Sequence, residues 1–206
     1  MPRIAIRLAT PDDAAAILAV FHAAIHGKAA CSYDTAQLSA WCAGRTAEQF
    51  RRELELGMNP FLVAEALVDA PLAPPVEDAP GEPPGAATCG PRKPALTAAP
   101  SPPPAPPVVG FGALRGDEVA YLYAAPQAPP GTGTALLREL ERRAVEQGWP
   151  ELRLTASLNA LDFYKEHGYR ELRRDIRVMS VAGGFVRLVA IEARKRLDER
   201  NAARPA

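Results

Sequence analysis

The sequence predicts a mixed α/β domain interrupted by a proline-rich insert. Short strand-like runs alternate with longer stretches whose apolar residues recur at helical spacing. A glycine turn over 131–133 opens one such stretch, and a strand and an aromatic helix follow it. This order predicts a single domain over 1–200, interrupted by an insert over 67–108 and followed by a short tail over 201–206.

The first part of the chain predicts a strand followed by helices. Residues 4–8 read as a short strand, and Thr10 then resembles a helix cap, with proline and an acidic residue in the following turn. We expect a second helix over 35–42 and a third that begins at Thr46, before a strand over 61–65. The apolar face of the first helix is formed by Ile17, Leu18, Phe21 and Ile25.

The insert is defined by its composition. Residues 71–107 contain 14 of the 22 prolines in the chain. Proline removes a backbone donor and biases the preceding residue away from helix, so we expect a disordered, partly polyproline-II segment. The spacings Pro100 to Pro103 and Pro104 to Pro107 fit an aromatic groove on another protein. A passive spacer is the simpler interpretation.

The second half of the chain predicts further strands and helices around one amphipathic helix. Its buried stripe is formed by Leu136, Leu137, Leu140 and Ala144. The predicted elements are strands over 108–114 and 118–124, a helix ending at Gln147-Gly148, a strand over 152–155, a helix over 159–167, and a hairpin of 173–181 and 185–191 joined through Gly183-Gly184.

Composition excludes several classes of function. Lys plus Arg and Asp plus Glu number 24 each, so no global field favours nucleic acid or an anionic membrane. An uninterrupted apolar run of 18 residues is absent, which argues against a membrane span, and the N-terminus does not resemble a signal peptide. The three cysteines lack a CxxC spacing. We therefore expect reduced thiols and a cytoplasmic protein.

Two segments carry a family resemblance. Leu122-Tyr123-Ala124-Ala125-Pro126, followed by Gly131-Thr132-Gly133-Thr134, and the later Asn159 with Phe163-Tyr164, resemble the GNAT superfamily of acyl-CoA dependent N-acyltransferases. The resemblance implies a GNAT-like fold, with a mixed central sheet, helices on both faces and two parallel strands that splay apart at the coenzyme A site. It also implies cofactor-binding residues: Leu122, Tyr123, Ala124, Gly131, Thr132, Gly133, Thr134, Asn159 and Phe163.

The glycine turn suits a diphosphate. A helix N-terminus offers unpaired N–H groups and a positive dipole end, and glycine lets the backbone approach the ligand. Other phosphate motifs fit less well, because no Lys follows as in a Walker A loop and Leu136 replaces the third Rossmann glycine. The turn departs from the family pattern. Ala128 stands where the family carries Arg or Gln, Pro129 and Pro130 supply no N–H, and Gln127 is the candidate substitute.

The chemistry implied by the resemblance is attack of an amine on a thioester carbonyl. A backbone N–H near Tyr123 or Ala124 would polarise that carbonyl, and Tyr164 would protonate the departing thiolate. With ordinary pKa values this proton transfer is uphill by only about 2 kcal/mol. The general base is open, with Glu118, His22, Tyr33 and Asp162 as candidates.

Other residues allow additional interpretations. His22 and His26 have the spacing of metal ligands, but with only Cys31 as a third ligand we expect no metal. By the resemblance, Tyr33, Trp41 and Arg45 wall the acceptor pocket, and Trp41 suits the core equally.

The predicted function is acetyl transfer from acetyl-CoA to a primary amine on a small molecule or peptide. The alternative is a GNAT-like scaffold with weak or no catalysis, which binds coenzyme A or another protein through the proline-rich arm. Neither nucleic acid nor a membrane is an expected partner, and a homodimer is allowed.

Overall fold

The computed structural model describes residues 3–57, 60–67, 107–181 and 184–197. A seven-stranded mixed sheet organises these residues in the order β1-β2-β3-β4-β5-β7-β6. Neighbouring strands are antiparallel except β4 and β5, which are parallel. The strands are β1 Arg3–Leu8, β2 Phe61–Leu67, β3 Val108–Arg115, β4 Glu118–Ala124, β5 Glu151–Ser157, β6 Arg170–Val181 and β7 Gly184–Arg196.

Helices cover both faces of the sheet. The helices α1, α2 and α3 share one apolar cluster with the sheet, and α4 and α5 share another on the opposite face. Strand β2 serves both clusters, because Leu62 faces α4 while Phe61 and Val63 face α1 and α3. The helices are α1 Ala14–Lys28, α2 Thr35–Cys42, α3 Ala47–Glu55, α4 Thr132–Glu146 and α5 Leu161–Glu166.

Local capping signals fix where the first helices begin. Thr10 donates its N–H to the Asp13 carboxylate at 2.7 Å, before a single 3-10 turn leads into α1. Thr46 and Gln49 exchange backbone and side-chain hydrogen bonds at 3.2 Å each, so the predicted cap of α3 is confirmed. Arg7 ties Asp13 to Glu65 on β2, with nitrogen–oxygen distances of 2.7 Å to both carboxylates.

The parallel strands β4 and β5 separate along their length. They pair only at Glu118 with Arg153 and at Val119 with Leu154. Beyond this point β4 stays paired with β3 as far as Ala124, while β5 stays paired with β7 as far as Ser157. The predicted splay between two parallel strands is therefore confirmed, and a gap opens towards their C-terminal ends.

The predicted closing hairpin needs correction. The closing hairpin is longer than 173–181 and 185–191, because β7 lies between β5 and β6 and pairs with both of them, which extends it to Arg196. Leu67 ends β2 and Val108 begins β3, so these two strands flank the segment predicted as the insert. Residues 68–106, Gly183, which was predicted to join the hairpin, and the tail 201–206 lie outside the described residues.

One helical stretch is apolar enough for a membrane. Residues Pro11–Cys31 have the length and composition of a helix that could cross a membrane, with a mean hydropathy of 1.4 in their most apolar stretch. The prediction from the sequence that no segment could span a bilayer missed this stretch. In the fold, its apolar residues Ile17, Phe21 and Ile25 are packed in the core against the sheet.

Candidate active site

A cavity of about 380 Å³ lies where β4 and β5 separate. The N-terminal end of α4 forms one wall, and the C-terminal end of α1 together with Trp41 forms another. All the cofactor-binding and catalytic residues predicted from the sequence line this one cavity: Leu122, Tyr123, Ala124, Gly131, Thr132, Gly133, Thr134, Asn159, Phe163 and Tyr164.

The glycine turn presents the start of α4 to the cavity. Gly131 caps the helix with a φ of 86°, in the left-handed region that favours glycine. Thr132 is buried, and both its N–H and its hydroxyl donate to Pro129 O, at 3.2 and 2.7 Å. The first helical bond of the main chain runs from Ala135 N–H to Gly131 O at 2.9 Å. The N–H groups of Gly133 and Thr134 precede it, so they have no acceptor one turn earlier in the helix.

The edge of β4 offers backbone groups to the gap. Ala125 donates its N–H to Val109 O on β3 at 2.9 Å. Because successive peptide groups in a strand face opposite edges, the backbone of Tyr123 also faces β3. The N–H and C=O groups that face the gap are therefore those of Leu122 and Ala124, and Tyr123 contributes its side chain. Of the two residues considered for the backbone N–H, only Ala124 therefore turns that group towards the gap.

Two tyrosines reach the cavity from opposite faces of the sheet. Tyr164 is 7% exposed, and its ring centroid lies 5.2 Å from that of Phe163 and 5.6 Å from that of Tyr169. Burial, with a smaller contribution from nearby Tyr123, raises the pKa of Tyr164. Burial likewise raises the pKa of Tyr123, whose ring packs against Phe21. Both phenols therefore stay protonated at neutral pH.

His167 joins the two helices on the α4 side, and the sequence reasoning missed it. Its Nδ1 lies 2.7 Å from Phe163 O, and its Nε2 lies 3.1 Å from Thr134 Oγ1. Because a carbonyl oxygen only accepts, Nδ1 carries the proton and Nε2 accepts from the Thr134 hydroxyl. The imidazole also packs on the Phe163 ring at 4.4 Å. It thus fixes α5 relative to the first turn of α4.

Tyr33 does not line the cavity, and its hydroxyl makes structural hydrogen bonds. Its hydroxyl donates to Val189 O at 2.7 Å and accepts from Leu158 N–H at 2.9 Å. These bonds hold the α1–α2 connection against the segment that carries Ser157 and Asn159. With its proton already donated to a carbonyl, the Tyr33 hydroxyl is a poor general base.

The remaining base and wall candidates lie away from the cavity, except Trp41. Glu118, His22 and Asp162 do not line it, and Arg45 pairs with Glu53 at 2.8 Å. Among the described residues, the only charged side chain that lines the cavity is Lys28, which the sequence reasoning did not single out.

No group of three or more His, Cys, Asp and Glu residues suited to a metal occurs in the described ranges. His26 Nε2 lies 3.5 Å from Cys42 Sγ, which gives a pair without further ligands. Burial raises the pKa of Cys42 and keeps this thiol protonated at neutral pH.

Comparison with solved structures identifies the fold. A GCN5-related N-acetyltransferase from Rhodopseudomonas palustris is 25% identical, with a TM-score of 0.66 over 94% of this chain and 95% of its own. The PaiA N-acetyltransferase of Thermoplasma acidophilum, in complex with coenzyme A, is 17% identical, with a TM-score of 0.57 over 94% and 99%. The GNAT superfamily phosphinothricin acetyltransferase of Sinorhizobium meliloti, in complex with acetyl-CoA, is 16% identical, with a TM-score of 0.59 over 98% and 93%.

The chain has the GNAT fold. The resemblance predicted from the sequence is therefore confirmed in three dimensions. No protein-family model matches the chain, and no curated protein matches it. The GNAT neighbours cover nearly the whole chain, so the fold accounts for both the helices at the N-terminus and the splayed strands.

Proposed function

We propose that this protein transfers an acetyl group from acetyl-CoA to a primary amine. The observation that carries the proposal is one cavity, at the gap between β4 and β5, that contains a helix N-terminus, a free strand edge and a buried phenol. Solved neighbours with coenzyme A or acetyl-CoA bound support the choice of acyl carrier.

Three groups of residues in the cavity would each bind a different part of the acyl carrier. The N–H groups at the start of α4, from Gly133 and Thr134, would bind the diphosphate, because that helix end is electropositive and unpaired. The free edge of Leu122 and Ala124 would bond the pantetheine amides as a neighbouring strand would. Asn159 and Phe163 would complete the wall on the β5 side.

The reaction is a direct displacement. The amine nitrogen attacks the thioester carbonyl carbon, a C–N bond forms, and the C–S bond breaks as the negative charge returns from oxygen to sulfur. The N–H of Ala124 would stabilise the charge that develops on the carbonyl oxygen. The Tyr164 hydroxyl would protonate the departing thiolate, and solvent would restore its proton while the amine proton leaves through water.

The burial of Tyr164 affects this proton transfer in two ways. Its raised pKa makes donation to a free thiolate more unfavourable than the estimate from ordinary values. The same burial keeps the phenol protonated over the whole range in which an enzyme works, so the donor is always present. In a displacement where sulfur gains charge gradually, a positioned neutral donor supplies stabilisation as the charge appears.

The acceptor would enter from the α1–α2 side, where Trp41 and Tyr123 line the cavity. Apolar and aromatic walls suit an uncharged amine, which is the form that attacks. No carboxylate lines the cavity in the described part of the chain, so deprotonation of the amine would proceed through water. The acceptor class stays a small-molecule or peptide amine, and a cytoplasmic location stays a prediction.

Two measurements test the function. Calorimetry with acetyl-CoA should give saturable binding, and a panel of primary amines should release thiol from acetyl-CoA in proportion to enzyme concentration. Absence of binding would refute the assigned carrier. Binding without thiol release for amino acids, polyamines, aminoglycosides and peptide N-termini would refute catalysis on these acceptors and favour the scaffold alternative.

A further inference from the structure

We infer that Lys28, at the C-terminal end of α1, binds an anionic group of a ligand in the cavity. The diphosphate of the acyl carrier is the source that the neighbouring residues favour. This inference rests on the proposed function, since it assigns a residue from a different helix to the same ligand. It also explains how a turn that lacks the side chain typical of its family can still hold a dianion.

The first support is that Lys28 has no counter-ion. It is the only charged side chain lining the cavity among the described residues, and it forms no salt bridge with any carboxylate described there. Partial burial lowers the pKa of Lys28, and no nearby charge opposes this effect. Lys28 is an exposed residue, so its unpaired ammonium is accessible to a ligand that enters the cavity. A ligand anion in the cavity would supply that partner.

The second support is the shortage of donors in the turn between β4 and α4. Pro126, Pro129 and Pro130 have no N–H, and the N–H of Ala128 is used by Ala125 O at 3.0 Å. Gln127, the candidate substitute for the missing family side chain, is exposed and does not line the cavity. The start of α4 therefore offers backbone amides to a diphosphate but no cation.

The third support is the way α1 approaches this turn. A Cβ atom on Gly27 would lie 2.3 Å from Pro126 Cγ, so only glycine allows the last turn of α1 to sit so close to Pro126. The next residue along the helix is Lys28, and it lines the cavity together with Pro129 and Pro130. The close packing thus brings the cation to the same turn that lacks one.

An anionic group on the acceptor is the other source with the same chemistry. Lys28 also shares the cavity with Trp41, on the side where the acceptor would enter. A phosphate or carboxylate on the acceptor would neutralise the ammonium in the same way. The experiment therefore measures carrier binding without acceptor, and acceptor kinetics separately.

The test compares three variants by calorimetry and steady-state kinetics. Lys28→Gln removes the charge at similar length, Lys28→Arg keeps it, and Lys165→Gln is the matched control, because Lys165 does not line the cavity. We expect Lys28→Gln to weaken coenzyme A binding about tenfold, with kcat at saturating acetyl-CoA within twofold of the parent. Lys28→Arg should stay within threefold, and Lys165→Gln should match the parent. The parent affinity should fall with added salt, and that dependence should be smaller in Lys28→Gln.

Each outcome has a definite meaning. Weaker coenzyme A binding in Lys28→Gln alone assigns the anion to the carrier. Unchanged coenzyme A binding, with a tenfold higher KM for an amine bearing a carboxylate but not for a neutral amine, assigns it to the acceptor. If carrier affinity and both KM values are unchanged, the inference is wrong while the proposed function stands. A parent protein that binds no coenzyme A would overturn both.

Discussion

Replacing Tyr164 with Phe should separate catalysis from folding. The ring packs between Phe163 and Tyr169, and Phe keeps those contacts at centroid distances of 5.2 and 5.6 Å. Tyr164 lines the cavity, and its interactions in the described part of the chain are with neighbouring rings, so removal of the hydroxyl leaves no hydrogen-bond partner unsatisfied. We expect stability to change by less than about 1 kcal/mol, because only a hydroxyl is lost and the packed ring is retained.

The same change should slow the chemistry. Loss of a positioned proton donor lowers turnover by about 10²- to 10⁴-fold in typical enzymes. We expect a smaller effect, about 10- to 1000-fold, because a thiolate is a good leaving group and the raised pKa of Tyr164 limits its acidity. The affinity for acetyl-CoA should change by less than about twofold, since the ring that lines the cavity is retained.

Tyr169→Phe is the matched control for this experiment. Tyr169 belongs to the same apolar cluster as Tyr164, but it does not line the cavity, and its buried hydroxyl lies near the Glu141 carboxylate. Removing this hydroxyl should leave turnover unchanged and shift the thermal midpoint by only a few degrees. The assay is thiol release with an identified amine, from pH 6 to 10. The parent rate should rise with pH to a plateau without a descending limb, because the Tyr164 phenol stays protonated. Equal kcat in Tyr164→Phe and the parent would remove Tyr164 from the mechanism.

Three further changes test the turn, the capping network and the insert. Gly131→Val and Gly148→Val both place a branched residue at a φ of 80° to 86° with open space around it, so both should lose about 1–3 kcal/mol of stability. Only Gly131→Val should weaken coenzyme A binding, by tenfold or more in calorimetry, and equal loss in both would refute the diphosphate assignment. Asp13→Asn should lose about 2 kcal/mol at pH 7 in urea unfolding. The Arg7 guanidinium lowers the pKa of Asp13 in the folded protein. The stabilisation from the Asp13 carboxylate is therefore complete above the unfolded pKa of about 3.9 and is lost as pH falls through the lower folded pKa. The free energies of unfolding of Asp13→Asn and the parent should converge in acid, and a difference that stays constant with pH would contradict this. Deleting residues 72–106 with a short Gly-Ser linker should leave the midpoint unchanged or slightly higher, since β2 and β3 are antiparallel neighbours, and a fall above about 8 °C would contradict it.

Local signals in the sequence were enough to find the elements and the turn. A cap is a contact between residues three positions apart, as for Thr46 and Gln49, so its sequence pattern contains the whole interaction. The glycine turn is local in the same way, because the φ of Gly131 depends on its own residue type. The family resemblance added the splay of the strands, which no local pattern encodes.

Contacts between distant segments could not be predicted in this way. Tyr33 meets Leu158 across 125 positions, and His167 meets Thr134 across 33. Lys28 was overlooked because its role depends on the packing of Gly27 against Pro126, which belongs to a different element. The edge of β4 was found, but which of its peptide groups face the gap depends on pairing with β3. If the pairing of β4 with β3 shifted by one residue, the backbone N–H of Tyr123 would face the gap and that of Ala124 would not. Only the observed register distinguishes the two.

The splayed strands also explain why both faces of the sheet contribute to one site. A continuous sheet would separate the α4 face, which supplies the glycine turn and Tyr164, from the α1 face, which supplies Lys28 and Trp41. Beyond Val119 and Leu154, β4 follows β3 and β5 follows β7, so the two halves of the sheet diverge and leave the facing edges of β4 and β5 unpaired with each other. A ligand that paired with the edge of β4 there would take the place of a strand and would contact residues from both faces at once.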